Sequence, residues 1–117
     1  MVKFQEKVPP RSFKVGVDGT IMISDCGECY LDSDEQITFV SSKGKEYDFA
    51  AKSWGFYATP SINRRLKSFG YKTALVANAD GAIYVMVVDS EKIDDFHDYC
   101  EKENQVVLEW LSDRPCK

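Results

Sequence analysis

The residues best suited to chemistry in this 117-residue chain fall in three short segments. The first is Cys26-Gly-Glu-Cys29. A C-x-x-C spacing brings two sulfurs together, and thiol–disulfide exchange also needs one thiol with a lowered pKa, a service usually supplied by a helix start. Tyr30-Leu31 follow the second cysteine and read as strand, so that device is missing. Tetrahedral zinc needs four ligands, and Cys26 and Cys29 would have to recruit His97 and Cys100, which are one helical turn apart. Those two share the apolar stripe of Ile93 and Phe96, where a histidine and a cysteine more often pack than ligate. Cys116, next to the last residue, is expected to fray. The sequence therefore assigns no metal and no cofactor, and a thiol-redox or zinc protein using Cys26 and Cys29 stands as an alternative.

The second segment runs Trp54-Gly-Phe-Tyr-Ala-Thr-Pro-Ser-Ile-Asn-Arg-Arg65. Thr59 suits an N-cap, and Pro60 suits the first helical position. A helix start exposes unpaired N–H groups and partial positive charge, which attract phosphate or carboxylate. Ser61 adds a hydroxyl, Asn63 an amide, and Arg64 and Arg65 forked cationic donors, while Trp54, Phe56 and Tyr57 can form a stacking wall. The ligand-contact candidates are Trp54, Tyr57, Thr59, Ser61, Asn63, Arg64 and Arg65, and the ligand a small anionic or sugar-like molecule or a protein partner. The competing reading puts the aromatics in the core and the arginines in solvent, and no phosphate-loop glycine pattern argues against it.

The third segment, Asp32-Ser-Asp-Glu35, lacks the spacing and the glycine of a calcium loop and reads as a solvated acidic turn. His97, the only histidine, lies beside Asp94, Asp95 and Asp98, but no nucleophile-elbow pattern accompanies it. No residue is assigned a catalytic role. The leading reading is a non-catalytic binding or interaction module. An enzyme with a site drawn from scattered positions is the remaining alternative.

The elements that must position these groups change character near residue 58. Upstream, Phe13, Val15 and Val17 alternate up to a turn at Asp18-Gly19, and Thr20–Ser24 and Cys29–Leu31 read as short strands around residues 25–28. Gln36–Ser41 and Glu46–Ala51 alternate across Ser42-Lys-Gly-Lys45, a hairpin. Downstream, Ile62, Leu66 and Phe69 set one buried face of a short helix near 60–69 that Gly70 ends. Tyr71–Asn78 and Ala82–Val88 form the strongest hairpin, with a type I′ turn at Asp80-Gly81 that places Val76 opposite Val85 and Leu75 opposite Met86. Ile83–Val88 is apolar on both faces and is expected to be a central strand, with Val85 and Val87 in the core. From Ser90, Ile93, Phe96, Cys100, Val107 and Leu111 keep a helical phase, as one kinked helix or two. The expected fold is a single α+β domain over residues 1–117. It has a largely antiparallel sheet, the short helix, and C-terminal helices packed on one face.

Composition agrees. Fifteen basic against nineteen acidic residues give a net charge of -4, which opposes a nucleic-acid footprint. Residues 89–117 carry nine acids and four bases, while Arg64, Arg65, Lys67 and Lys72 form a small basic stretch without acids. The longest apolar run, Ile83–Val88, is too short for a membrane helix, and the charged opening residues lack an apolar signal region. A cytoplasmic location follows as the expectation, with reduced cysteines.

Overall fold

The alternating segments become eight strands in the computed structural model, which describes residues 1–115; Cys116 lies outside the described residues. Along the chain these are β1 (Lys3–Val15), β2 (Ile21–Tyr30), β3 (Gln36–Val40), β4 (Glu46–Lys52) and β5 (Gly55–Ala58), then α1 (Arg65–Ser68), β6 (Tyr71–Ala77) and β7 (Ile83–Asp89). A 3-10 turn at Ser90–Lys92 leads into α2 (Ile93–Lys102), and β8 (Val106–Trp110) is followed by a second 3-10 turn at Leu111–Asp113. The strands form three sheets, ordered β1-β2, β3-β4-β5 and β7-β6-β8. The class is α+β with antiparallel pairing, as the sequence implies.

The chain falls into two compact units, Met1–Phe39 with Asp48–Thr59, and Val40–Tyr47 with the chain from Pro60 onward. Two of the three boundaries lie inside β3 and β4, and the third falls between Thr59 and Pro60, just past β5.

In the first unit, β1 and β2 form a long two-stranded ribbon with no fully buried residue. Such ribbons are marginal by themselves, and side chains reinforce this one. Asp25 accepts from Lys7 at 2.7 Å and from Arg11 at 3.4 Å, and the Ser12 and Ser24 hydroxyls meet at 3.3 Å. Strand β2 continues through Asp25–Glu28, where the sequence suggested a gap between two strands, although its register against β1 shifts there and Cys26 has no partner across the ribbon. Gly27 explains this continuity. A Cβ there would lie 2.5 Å from the Gln5 carbonyl oxygen and 2.6 Å from the Phe4 ring, so only glycine lets β1 approach. Further on, β4 pairs with β5 from Phe49↔Ala58 to Lys52↔Gly55, and Phe39 meets Phe49 edge-on at 5.9 Å.

In the second unit, β6 is the middle strand, paired along both edges. Ala74 and Val76 are fully buried and meet Cys100 of α2, with Met86, Phe96, Val107 and Trp110 packed around them. Phe96 and Trp110 touch edge-to-face at 5.7 Å. Past the end of β8, the Ser112 hydroxyl takes over as a pairing group. It accepts the Thr73 N–H at 2.8 Å and donates to the Thr73 carbonyl at 3.3 Å. Leu66 of α1 is also fully buried.

Five expectations change here. The helical phase does not continue to Leu111. Asn104 adopts a left-handed conformation after α2, and residues 106–110 pair with β6 as β8. Strand β7 lies at the sheet edge, because β8 takes the other side of β6. The β6–β7 register is shifted by one residue from the expected one, with Leu75 opposite Val85 and Val76 opposite Tyr84. The turn is longer than two residues. Gly81 N–H donates to Asn78 O, Asn78 N–H donates to Ala82 O, and only Gly81 among these residues has positive φ. Finally, α1 starts at Arg65 rather than at Pro60, so Thr59 caps nothing; its N–H and hydroxyl donate to the Asp48 carbonyl. Two expectations hold. Gly70, at φ +90°, ends α1, and Gly44 turns the β3–β4 hairpin.

Lys45 ties the second unit's loops to the end of β7. Its ammonium lies 2.6 Å from Asp89 and 3.4 Å from the Gly70 carbonyl oxygen. The Lys45 hydrogen bond, helped by the Glu91 N–H, holds the Asp89 carboxyl below its ordinary pKa, and the same contact raises that of Lys45. A depressed carboxyl contributes stability above the unfolded-state pKa and loses it as pH falls through the folded one. Asp89→Asn is therefore expected to flatten the decline in stability below about pH 4, the unfolded carboxylate value, in acid titrations followed by circular dichroism. The burial pattern also ranks the strands. Val76→Ala should cost about 1–3 kcal/mol through the cavity it leaves. Val85, 65% exposed rather than in the core, should cost less than about 0.5 kcal/mol. Denaturant midpoints of the two variants measure the difference.

Candidate functional site

Segment 54–65 is built from two different local structures. Trp54 sits in the turn between β4 and β5, and Phe56 and Tyr57 follow on β5. Successive strand residues point to opposite faces, so Phe56 and Tyr57 diverge, while the turn folds Trp54 back over Tyr57. Their rings stack with centroids 6.0 Å apart and planes 24° from parallel. Trp54 is 70% exposed, Phe56 68% and Tyr57 44%. The aromatics are surface groups, and the reading that buries them in the core is overturned. Lys52, one turn upstream, pairs with Asp34, and the hydrogen bond and charge of that carboxylate, with a further push from Tyr57, raise its pKa.

Past Thr59 the chain enters the second unit. Ser61 serves α1 internally, its hydroxyl accepting the Arg65 N–H at 3.1 Å. Arg65 lies over the Phe69 ring at 5.6 Å, and Asn63 and Arg64 are exposed. With α1 a single turn and no side-chain cap at Arg64, the expected bed of free helical N–H groups does not form. The structure thus brings Trp54 to Tyr57 and Ser61 to Arg65. It leaves Thr59 on the Asp48 carbonyl.

Cys26 and Cys29 are free, exposed thiols on one strand. Positions three apart on a strand face opposite ways, so the C-x-x-C spacing separates the sulfurs here instead of joining them. Cys100 is buried, and burial raises its thiol pKa. Among the described residues no three His, Cys, Asp or Glu side chains converge as a metal site would require. His97 stands against the Phe96 and Trp110 rings at 5.9 and 6.3 Å. In the acidic turn, the Asp32 N–H donates to Glu35 at 2.7 Å and Asp34 pairs with Lys52, which makes it a structural loop.

Sequence reasoning missed the exposed apolar edge of Ile83, Tyr84 and Val85. An apolar run reads the same whether a fourth strand covers it or not, and β8 was hidden in a helical phase. One consequence of the cysteine geometry is measurable. Neither a reductant nor a chelator should move the thermal melting midpoint, since among the described residues the cysteines are free and no cluster of metal-ligating side chains forms; a drop of several degrees with either would contradict this placement. No described helix is long and apolar enough to cross a membrane. Compared with known proteins, the chain matches no family model, no curated protein and no solved structure.

Proposed function

We propose that this chain is a non-catalytic interaction module of the cytosol that holds a protein partner on the stacked Trp54 and Tyr57. The observation that carries the reading is the Trp54–Tyr57 stack, held in order on the surface instead of in the core. Trp and Tyr dominate the energetics of protein interfaces, and rings already fixed against each other lose little freedom on binding. Aromatic side chains carry about 150–250 Å² each, and the exposed parts of Trp54 and Tyr57 supply the anchor of an interface of which one partner gives roughly 800 Å². The Lys52–Asp34 pair supplies a polar border of the kind that rims such patches. Free, exposed Cys26 and Cys29 suit a reducing compartment. The anionic-ligand reading rests on the exposed Arg64 and on Arg65, without a helix end behind them.

Affinity purification with wild type and with Trp54→Ala, followed by reconstitution with the purified partner, tests the proposal. The variant should lose about 2 kcal/mol of binding, roughly thirtyfold in Kd, with an unchanged denaturation midpoint. Equal affinity for both chains would overturn it. Binding of purified oligosaccharides that Trp54→Ala abolishes would put a sugar-like ligand in the partner's place.

A further inference from the structure

The sheet β7-β6-β8 has two faces, and its pairing register sorts the side chains between them. Residues opposite one another on neighbouring strands share a face, and successive residues along a strand alternate. Ala74, Val76 and Met86 lie on the face that α2 packs against. The other face takes Leu75 opposite Val85, and Ala77 opposite both Ile83 and Val106. Leu108 is the extra residue where the β6–β8 register shifts. It follows Val107, which packs on the α2 side, and so it points to the other face.

An antiparallel sheet with one packed face usually turns polar side chains to water on the other. This sheet does the reverse. The six residues just placed on its second face are all aliphatic. Ile83, Val85, Val106 and Leu108 are 61%, 65%, 62% and 52% exposed, while Leu75 and Ala77 between them are half-buried. The nearest charge in register, Glu109 opposite Leu75, has both carboxylate oxygens on Arg114 at 2.8 and 3.0 Å.

Area and chemistry together select the occupant. The exposed parts of the face amount to about 500 Å² per chain, and two such faces reach about the 1,000 Å² that a specific interface must clear. A partner without a matching aliphatic patch would make half of that area polar. An identical copy makes all of it apolar, and because the face carries no charge, nothing is left unpaired when it meets itself. Twisted aliphatic sheets pack face to face at about −30° and roughly 10 Å apart. Two-fold pairing covers both faces and leaves none to recruit a third chain.

We propose that the chain forms a homodimer in which this face of β7-β6-β8 packs against the same face of a second copy. The dimer goes beyond the stacked Trp54 and Tyr57 of the proposed function and does not depend on them.

Sedimentation of the full-length chain from low micromolar to millimolar concentration tests this. A monomer–dimer equilibrium is expected with a Kd of roughly 10–100 µM, the weak end for specific interfaces. Val85→Lys on β7 and Val106→Lys on β8 place a charge in the face from opposite edges of the sheet. Each should weaken dimerisation by about tenfold or more. Tyr84→Lys, beside Val85 but on the α2 side, and Trp54→Ala should leave it unchanged. In mixtures of labelled and unlabelled wild type, isotope-filtered NMR should show contacts between chains among the Ile83, Val85, Val106 and Leu108 methyls. That measurement needs no variant to fold. A chain that stays monomeric at millimolar concentration would overturn the proposal. So would a dimer that keeps its affinity in either valine-to-lysine variant, that Tyr84→Lys or Trp54→Ala dissolves, or that lacks those methyl contacts.

Discussion

The second unit depends on the double pairing of β6. Ala74 and Val76 can be fully buried because β7 and β8 satisfy the strand's backbone on both sides while α2 covers one face. Small side chains at Ala74 and Val76 leave room for the larger Phe96 and Trp110, whose rings meet edge-on beside them. Where β8 runs out, Ser112 supplies the missing donor and acceptor to Thr73, so the ladder ends without an orphaned backbone group. Leaving such buried groups unpaired would cost about 1–3 kcal/mol. The same arrangement leaves β7 with one partner only.

The first unit solves the problem of burial less completely. Its β1–β2 ribbon has no buried residue and keeps its register through ion pairs, a serine pair and the glycine that admits Phe4 against Gly27. Its β5 end presents three aromatic side chains to solvent. Both units thus finish with apolar surface that the described residues of the chain leave exposed.

Much of the fold was legible because it follows local rules. The β3–β4 hairpin, the stop at Gly70, the burial of Leu66 and the two strands at 71–88 come from turn chemistry and apolar period. What was not legible depends on partners far away in sequence. Val107 and Trp110 fit a helical phase and a strand equally well until β6 offers an edge. Ile83–Val88 reads as central until one knows which side of β6 is taken. The one-residue register shift arose from Asn78, which closes the turn from outside the Asp80-Gly81 pair and accepts the Asp80 and Ala82 N–H groups on its side chain. At the candidate site, the residue types of 54–65 were readable, but their split between a surface stack and a one-turn helix was not. The C-x-x-C motif misleads for a simple reason: on a strand, a spacing of three separates the side chains instead of aligning them.

The account stands on β7 being an open edge beside a fully paired β6. Residue-by-residue amide hydrogen exchange on the isolated chain measures this directly. Every second amide of β7 between Ile83 and Asp89 should exchange fast, as the groups that face no strand, while the interior amides of β6 are uniformly slow. Uniformly slow exchange along β7 would mean that the edge is covered, and would contradict the account.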